Sequence, residues 1–144
     1  ARKAIETTAA SICATNVALI DIAHLKKMAA EFRTVWSLYA NGQGTSADFA
    51  DRETLDRAFH NEIVLATENN YLIDMYHSIR EPLNYLSVRT CEFVASKGKR
   101  DNIIIISAQH VDICRAIESG FPEMARQAME RHIDFCHERC LLDR

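Results

Sequence analysis

The run His110-Val-Asp-Ile-Cys-Arg-Ala-Ile-Glu-Ser-Gly-Phe-Pro-Glu-Met-Ala-Arg-Gln-Ala-Met-Glu-Arg-His132 decides the fold. Gly120 ends a helix readily because it accepts the left-handed backbone that closes one, and Pro122 starts a helix readily because its missing N–H is not needed in a first turn. The chain is therefore expected to reverse at Gly120-Phe-Pro122 into an antiparallel helix pair. His110 lies eleven residues before Phe121 and His132 eleven after it, so the hairpin sets both imidazoles at one height. On the first helix Ile103, Ile106, His110, Ile113 and Ile117 form one apolar stripe at three- and four-residue spacing. On the second, His132 sits among Ala125, Ala128, Met129 and Cys136. Both histidines point inward, and two inward imidazoles at one level ask for a common partner.

Asp56-Arg-Ala-Phe-His60 supplies one. A four-residue step places Asp56 and His60 one helical turn apart on the same side, a spacing suited to gripping one ion from two points. Leu55, Phe59, Ile63 and Ala66 mark the buried stripe of that helix, with Asp56 and His60 along its edge. Three neutral imidazoles and one carboxylate suit a single divalent transition metal: zinc first, with nickel, cobalt, iron or manganese as alternatives. A rival set, His132, Cys136 and Cys140 with Cys114, could build a softer thiolate site, but it leaves Asp56 and His60 unexplained.

The rest of the chain reads as helices. An Ala-rich first helix spans about Arg2 to Cys13, with Arg2 and Glu6 as a solvated i,i+4 pair. A longer one runs from about Val17 to Tyr39, and its stripe Ile22, Leu25, Met28/Ala29, Phe32, Val35/Trp36, Tyr39 is core or dimer surface. Trp36 and Tyr39 could line a pocket or simply pack. Asn41-Gly-Gln-Gly-Thr-Ser46 is a loop, a lid or only a connection. Ser46 or Asp48 caps the Asp/His helix, which ends near Thr67. The next helix is expected from about Tyr71 to Ser96, antiparallel to the last, which puts His77 and Arg80 at the depth of the metal and a bend at Pro82. Lys97-Gly-Lys-Arg-Asp101 is a solvated connection. Asp101 or Asn102 caps the following helix, and Ile103-Ile-Ile-Ile106 is its wholly buried first turn.

Taken together, these motifs resemble a known family. Asp56 to His60, with Phe59 before the histidine, His110 followed by Ala116-Ile117 and Gly120, and Ala125-x-x-x-Met129-x-x-His132 look like the C-terminal effector-binding domain of GntR-type bacterial transcription regulators, the FadR C-terminal (FCD) class. Arg2-Lys-Ala-Ile-Glu6 with Ala9-Ala10 is similar to that domain's first helix, and Ala66-Thr-Glu-Asn69 to the turn after its Asp/His helix. The resemblance implies a homodimer in a bacterial cytoplasm, a missing N-terminal winged-helix domain that alone contacts DNA, and a small organic acid as effector. It also implies that Arg2 lies close to the effector cavity. A chain that begins without Met, directly in helical sequence, fits a fragment of that kind.

Composition agrees. With 144 residues, 48% of them apolar, and only four Gly and two Pro, the chain suits one all-α domain: an antiparallel bundle of six or seven helices spanning residues 1–144. A net charge of −3 offers no basic surface for nucleic acid, no run is long and apolar enough for a membrane span, and five cysteines without framework spacing suit a reducing cytoplasm. Three functions fit such a bundle. In a metal-dependent sensor, the ion takes a hydroxy or sugar acid while Arg80, His77, Arg2 and Asn61 contact it. The others are a metal-dependent hydrolase and a purely structural dimerisation domain. The sensor, which is not an enzyme, is the reading the resemblance implies; against the hydrolase, no additional acid, base or substrate motif accompanies the four ligands.

Overall fold

The computed structural model describes residues 1–41, 43, 46–80 and 100–141. Among them are six α-helices and no strand: α1 Arg2–Thr15, α2 Ile22–Ala40, α3 Ser46–Ala66, α4 Asn70–Ser78, α5 Arg100–Glu118 and α6 Pro122–Leu141, with a 3-10 turn at Val17–Leu19 between the first two. The expected all-α bundle is what forms.

The reversal between α5 and α6 falls where its punctuation requires. Helix α5 ends at Glu118, Gly120 takes the left-handed conformation with φ +75°, and Pro122 opens α6. Helix α1 packs mainly on α6, α2 on α5 and α3, and α1 also on α3. Small side chains permit the close approach of α1. Ala9, Ala10 and Cys13 are fully buried in the same core as Ala125, Met129, Ile113, Ile117, Phe59 and Ile63. Each buried Ile or Phe in that core contributes about 1.5–3 kcal/mol through apolar surface withdrawn from water, so the core outweighs the ion pairs at its rim. Lys3 to Glu130 and Asp134, both at 2.9 Å, fastens α1 to α6 through exposed side chains and contributes little.

Four local expectations change. The helix expected from Val17 to Tyr39 is interrupted: Ile20 is extended, and Asp21 caps α2 by accepting the His24 N–H at 3.0 Å. Its stripe is nonetheless core, with Leu25, Ala29, Phe32 and Trp36 buried and Trp36 packed on Phe32. Helix α4 starts on Asn69, whose side chain accepts from the N–H groups of Tyr71 and Leu72, but it stops at Ser78 with a break at Ile79; the part of the expected helix from 81 to 96 lies outside the described residues. Helix α5 is described from Arg100 onward, and Asp101 and Asn102 are already helical rather than capping it. The isoleucine run is helical yet not wholly buried: Ile106 is core, whereas Ile104 is 64% and Ile105 39% exposed. At 100° per residue four consecutive side chains sweep most of the circumference, so part of such a run must face out. Pro82, Lys97-Gly-Lys99, the middle of the Asn41–Ser46 loop and the side chains of Tyr39, Ser46 and Asp48 lie outside what is described.

Candidate metal centre

Three helices deliver four donors to one point. Helix α3 brings Asp56 and His60 from adjacent turns, α5 brings His110 and α6 brings His132; one ligand atom from each lies within 4.8 Å of all the others. The hairpin count holds, since the His110 and His132 ring centroids are 4.8 Å apart. All three histidines are buried, at 0–1% exposure, and Asp56 retains 16%. Phe59 stacks on His110 at 4.4 Å and Phe32 tilts against it at 4.4 Å, so two aromatic rings hold that imidazole from either side.

The polar atoms have the pattern of a ligand set, not of a self-satisfied core. His110 Nε2 is 3.2 Å from Asp56 Oδ1, near enough to feel its charge, yet neither ring nitrogen of His110 is aligned for a hydrogen bond. His60 Nε2 and His132 Nε2 face each other at 3.2 Å. Buried polar atoms left in this state are costly unless something completes them. Burial pushes the pKa of His110 down, and that of His132 well down with added repulsion from His110 and His60; both are therefore neutral with a lone pair to offer. Burial works the other way on Asp56, but the facing His60 and His110 and the nearby Arg2 overcome it and keep the carboxyl far below its usual range. Three imidazoles and an ionised carboxylate around one small volume fit a divalent transition metal.

Two residues missed in the sequence complete the surroundings. Glu6 of α1 is fully buried, with Oε2 2.6 Å from His60 Nδ1 and Oε1 2.7 Å from Arg2 Nε. The Arg2–Glu6 pair is thus not the solvated contact expected of it. Burial would raise the Glu6 pKa, but Arg2 and His60 bring it down to about 2, so it is a carboxylate. Gln109 of α5 presents Oε1 to His132 Nδ1 at 3.1 Å.

A model of the FCD domain family matches residues 1–135. The chain is an FCD domain. It is accordingly of the type that forms the C-terminal, regulatory, effector-binding part of GntR-family regulators. Among curated proteins no match to the chain is found. Of the effector contacts expected in this FCD domain, Arg2 lies beside the four donors, with its side chain 22% exposed. Asn61, next to His60, is half-buried. His77, in the last turn of α4, and Arg80, beyond its end, are exposed; Arg80 is within electrostatic reach of Tyr76, and neither residue contacts the four donors among the described residues. Among the described residues the thiolate alternative does not assemble, and the side chain of Cys140 lies outside them. Burial pushes the Cys114 thiol up to about 12, Cys136 Sγ stands 4.0 Å from both ring nitrogens of His132, and no described cysteine joins the converging set. No helix described is long and apolar enough to cross a membrane.

Proposed function

We propose that this FCD domain senses a small organic acid, of the sugar- or hydroxy-acid type, through a divalent transition metal held by Asp56, His60, His110 and His132. The observation that carries this reading is the buried convergence of the four donors from three helices, with His110 Nε2 left without a hydrogen bond. Charge supports the ligand class. A divalent ion against one carboxylate leaves one net positive charge, because Glu6 is already balanced by Arg2. The ion would supply the open coordination positions that a carboxylate and a neighbouring hydroxyl can share. Asp56 and Arg2 are the partly exposed members of the group, which supports an approach of such an acid from their side. Zinc is the first candidate. Effector binding would act in a homodimer, favouring one arrangement of attached DNA-binding domains over another.

A hydrolytic role is less well supported. Glu6, the carboxylate beside the four donors, is engaged by Arg2 and His60 and is not placed to activate water. The test is elemental analysis of the purified protein beside His132→Ala after dialysis against a weak chelator, followed by thermal unfolding with hydroxy and sugar acids. About one ion per chain is expected in the parent, with loss in the variant and stabilisation by an acid only when metal is present. A parent chain without metal sinks the metal reading; a metal-loaded chain that no acid stabilises leaves a structural ion.

A further inference from the structure

The second ring nitrogens of two candidate ligands have partners that decide which way each imidazole can serve. Glu6 is an ionised carboxylate and can only accept. Its Oε2 is 2.6 Å from His60 Nδ1, and although the pair is not aligned for a full hydrogen bond, a carboxylate oxygen facing a ring lone pair at that distance would be repelled, whereas one facing an N–H is attracted. The hydrogen therefore sits on Nδ1, and Nε2 keeps its lone pair. Gln109 acts likewise at the opposite ring: its Oε1, 3.1 Å from His132 Nδ1, selects the tautomer whose lone pair is on Nε2. The two lone pairs then meet across 3.2 Å, an arrangement that repels unless a cation lies between them. Arg2 completes the set, since its Nε donates to Glu6 Oε1 at 2.7 Å and fixes the carboxylate from the other side.

We propose that Glu6, oriented by Arg2, and Gln109 are positioning residues that lock His60 and His132 with Nδ1 protonated and Nε2 turned to the ion. This rests on the metal reading above and extends it to α1, which contributes no ligand of its own yet sets the aim of one. Second partners of this kind change metal affinity by about 10–100-fold when removed.

The experiment combines nitrogen-15 NMR of the histidine side chains in the zinc-loaded protein with zinc affinity measured against a chromophoric chelator. The parent should show Nδ1–H signals for His60 and His132 and coordination through Nε2. Glu6→Leu should raise the zinc dissociation constant by about 10–100-fold and broaden the His60 Nδ1–H signal through exchange with water, while Glu6→Gln, whose amide oxygen still accepts, should recover most of the affinity. Gln109→Leu should do the same at His132 alone, and it decides the matter if Glu6→Leu does not fold. Coordination through Nδ1 at both rings, or folded Leu variants that bind zinc as the parent does, overturns the proposal. A parent that binds no zinc overturns the metal reading instead.

Discussion

Acid should weaken the metal-free domain well before its carboxylates titrate. His110 and His132 have folded pKa values below the 6.5 they have when unfolded, because each is buried. Above about pH 7.5 neither state holds the extra protons and the two histidines contribute no slope. Below it the unfolded chain takes them up and the folded chain does not, so stability falls with pH. For one such histidine the loss between about pH 7.5 and about pH 5.5 reaches at most about 1.4 kcal/mol, the value for a ring that takes up no proton while folded, which is a sizeable share of a typical domain's 5–15 kcal/mol. The depressed carboxyls of Asp56 and Glu6 also favour the folded state, but their contribution is lost only as pH falls below about 4. The window between about pH 6.5 and about pH 5 therefore belongs to the histidines.

Urea unfolding of chelator-treated protein, followed by far-UV circular dichroism at each pH, measures the slope directly. His132→Gln, which keeps a polar side chain but cannot titrate, should reduce the loss by up to about 1.4 kcal/mol. A stability that stays flat to about pH 5.5, or a slope untouched by His132→Gln, would refute the view that these rings are held neutral in the folded chain.

Two further substitutions separate the scaffold from the site. Gly120→Ala should cost about 1–2 kcal/mol and lower the unfolding temperature by a few degrees. An added Cβ has room there, 3.8 Å from the Ala14 carbonyl oxygen, so the cost is the φ of +75° alone; zinc affinity should stay within about twofold. Asn69→Ala removes the acceptor for two N–H groups at the start of α4 and should cost about 1 kcal/mol, seen as faster hydrogen exchange in α4 with unchanged zinc affinity, because α4 carries none of the four donors.

The hairpin was legible because two kinds of signal agreed. Gly120 and Pro122 fixed where the chain turned, and counting outward from Phe121 then fixed the register, leaving little freedom for the height of His110 against His132. The four-residue step between Asp56 and His60 needed only a helix. Glu6 was hidden by its neighbour: an i,i+4 pair with Arg2 reads as a surface contact, although Glu6, Ala9, Ala10 and Cys13 share one face and that face is buried. The stripe could have been read; the charge argued against it. Gln109 had no such signal, because a position one step from an inward histidine does not fix which neighbour it faces. The break at Asn16–Asp21 carried its capping residues in plain view, but the apolar run from Val17 to Ile22 masked them. No Gly or Pro marks the end of α4 at Ser78, and periodicity alone could not stop it.

The geometry of the centre depends on the distance between helices as much as on the donors themselves. His60 and His132 are 72 residues apart in sequence, and their Nε2 atoms come within 3.2 Å because α3 and α6 both pack against α1. That packing is close because the α1 face is Ala9, Ala10 and Cys13, all fully buried, with Ala125 and Ala128 of α6 in the same core. The same face carries Glu6 to His60. A larger side chain at Ala9 or Ala10 would thus disturb the aim of His60 before it touched any of the four donors, since α1 would move away and take Glu6 with it. Small residues in α1 and a buried carboxylate one turn earlier are two parts of one device: the first sets the spacing that the second needs in order to hold the ring.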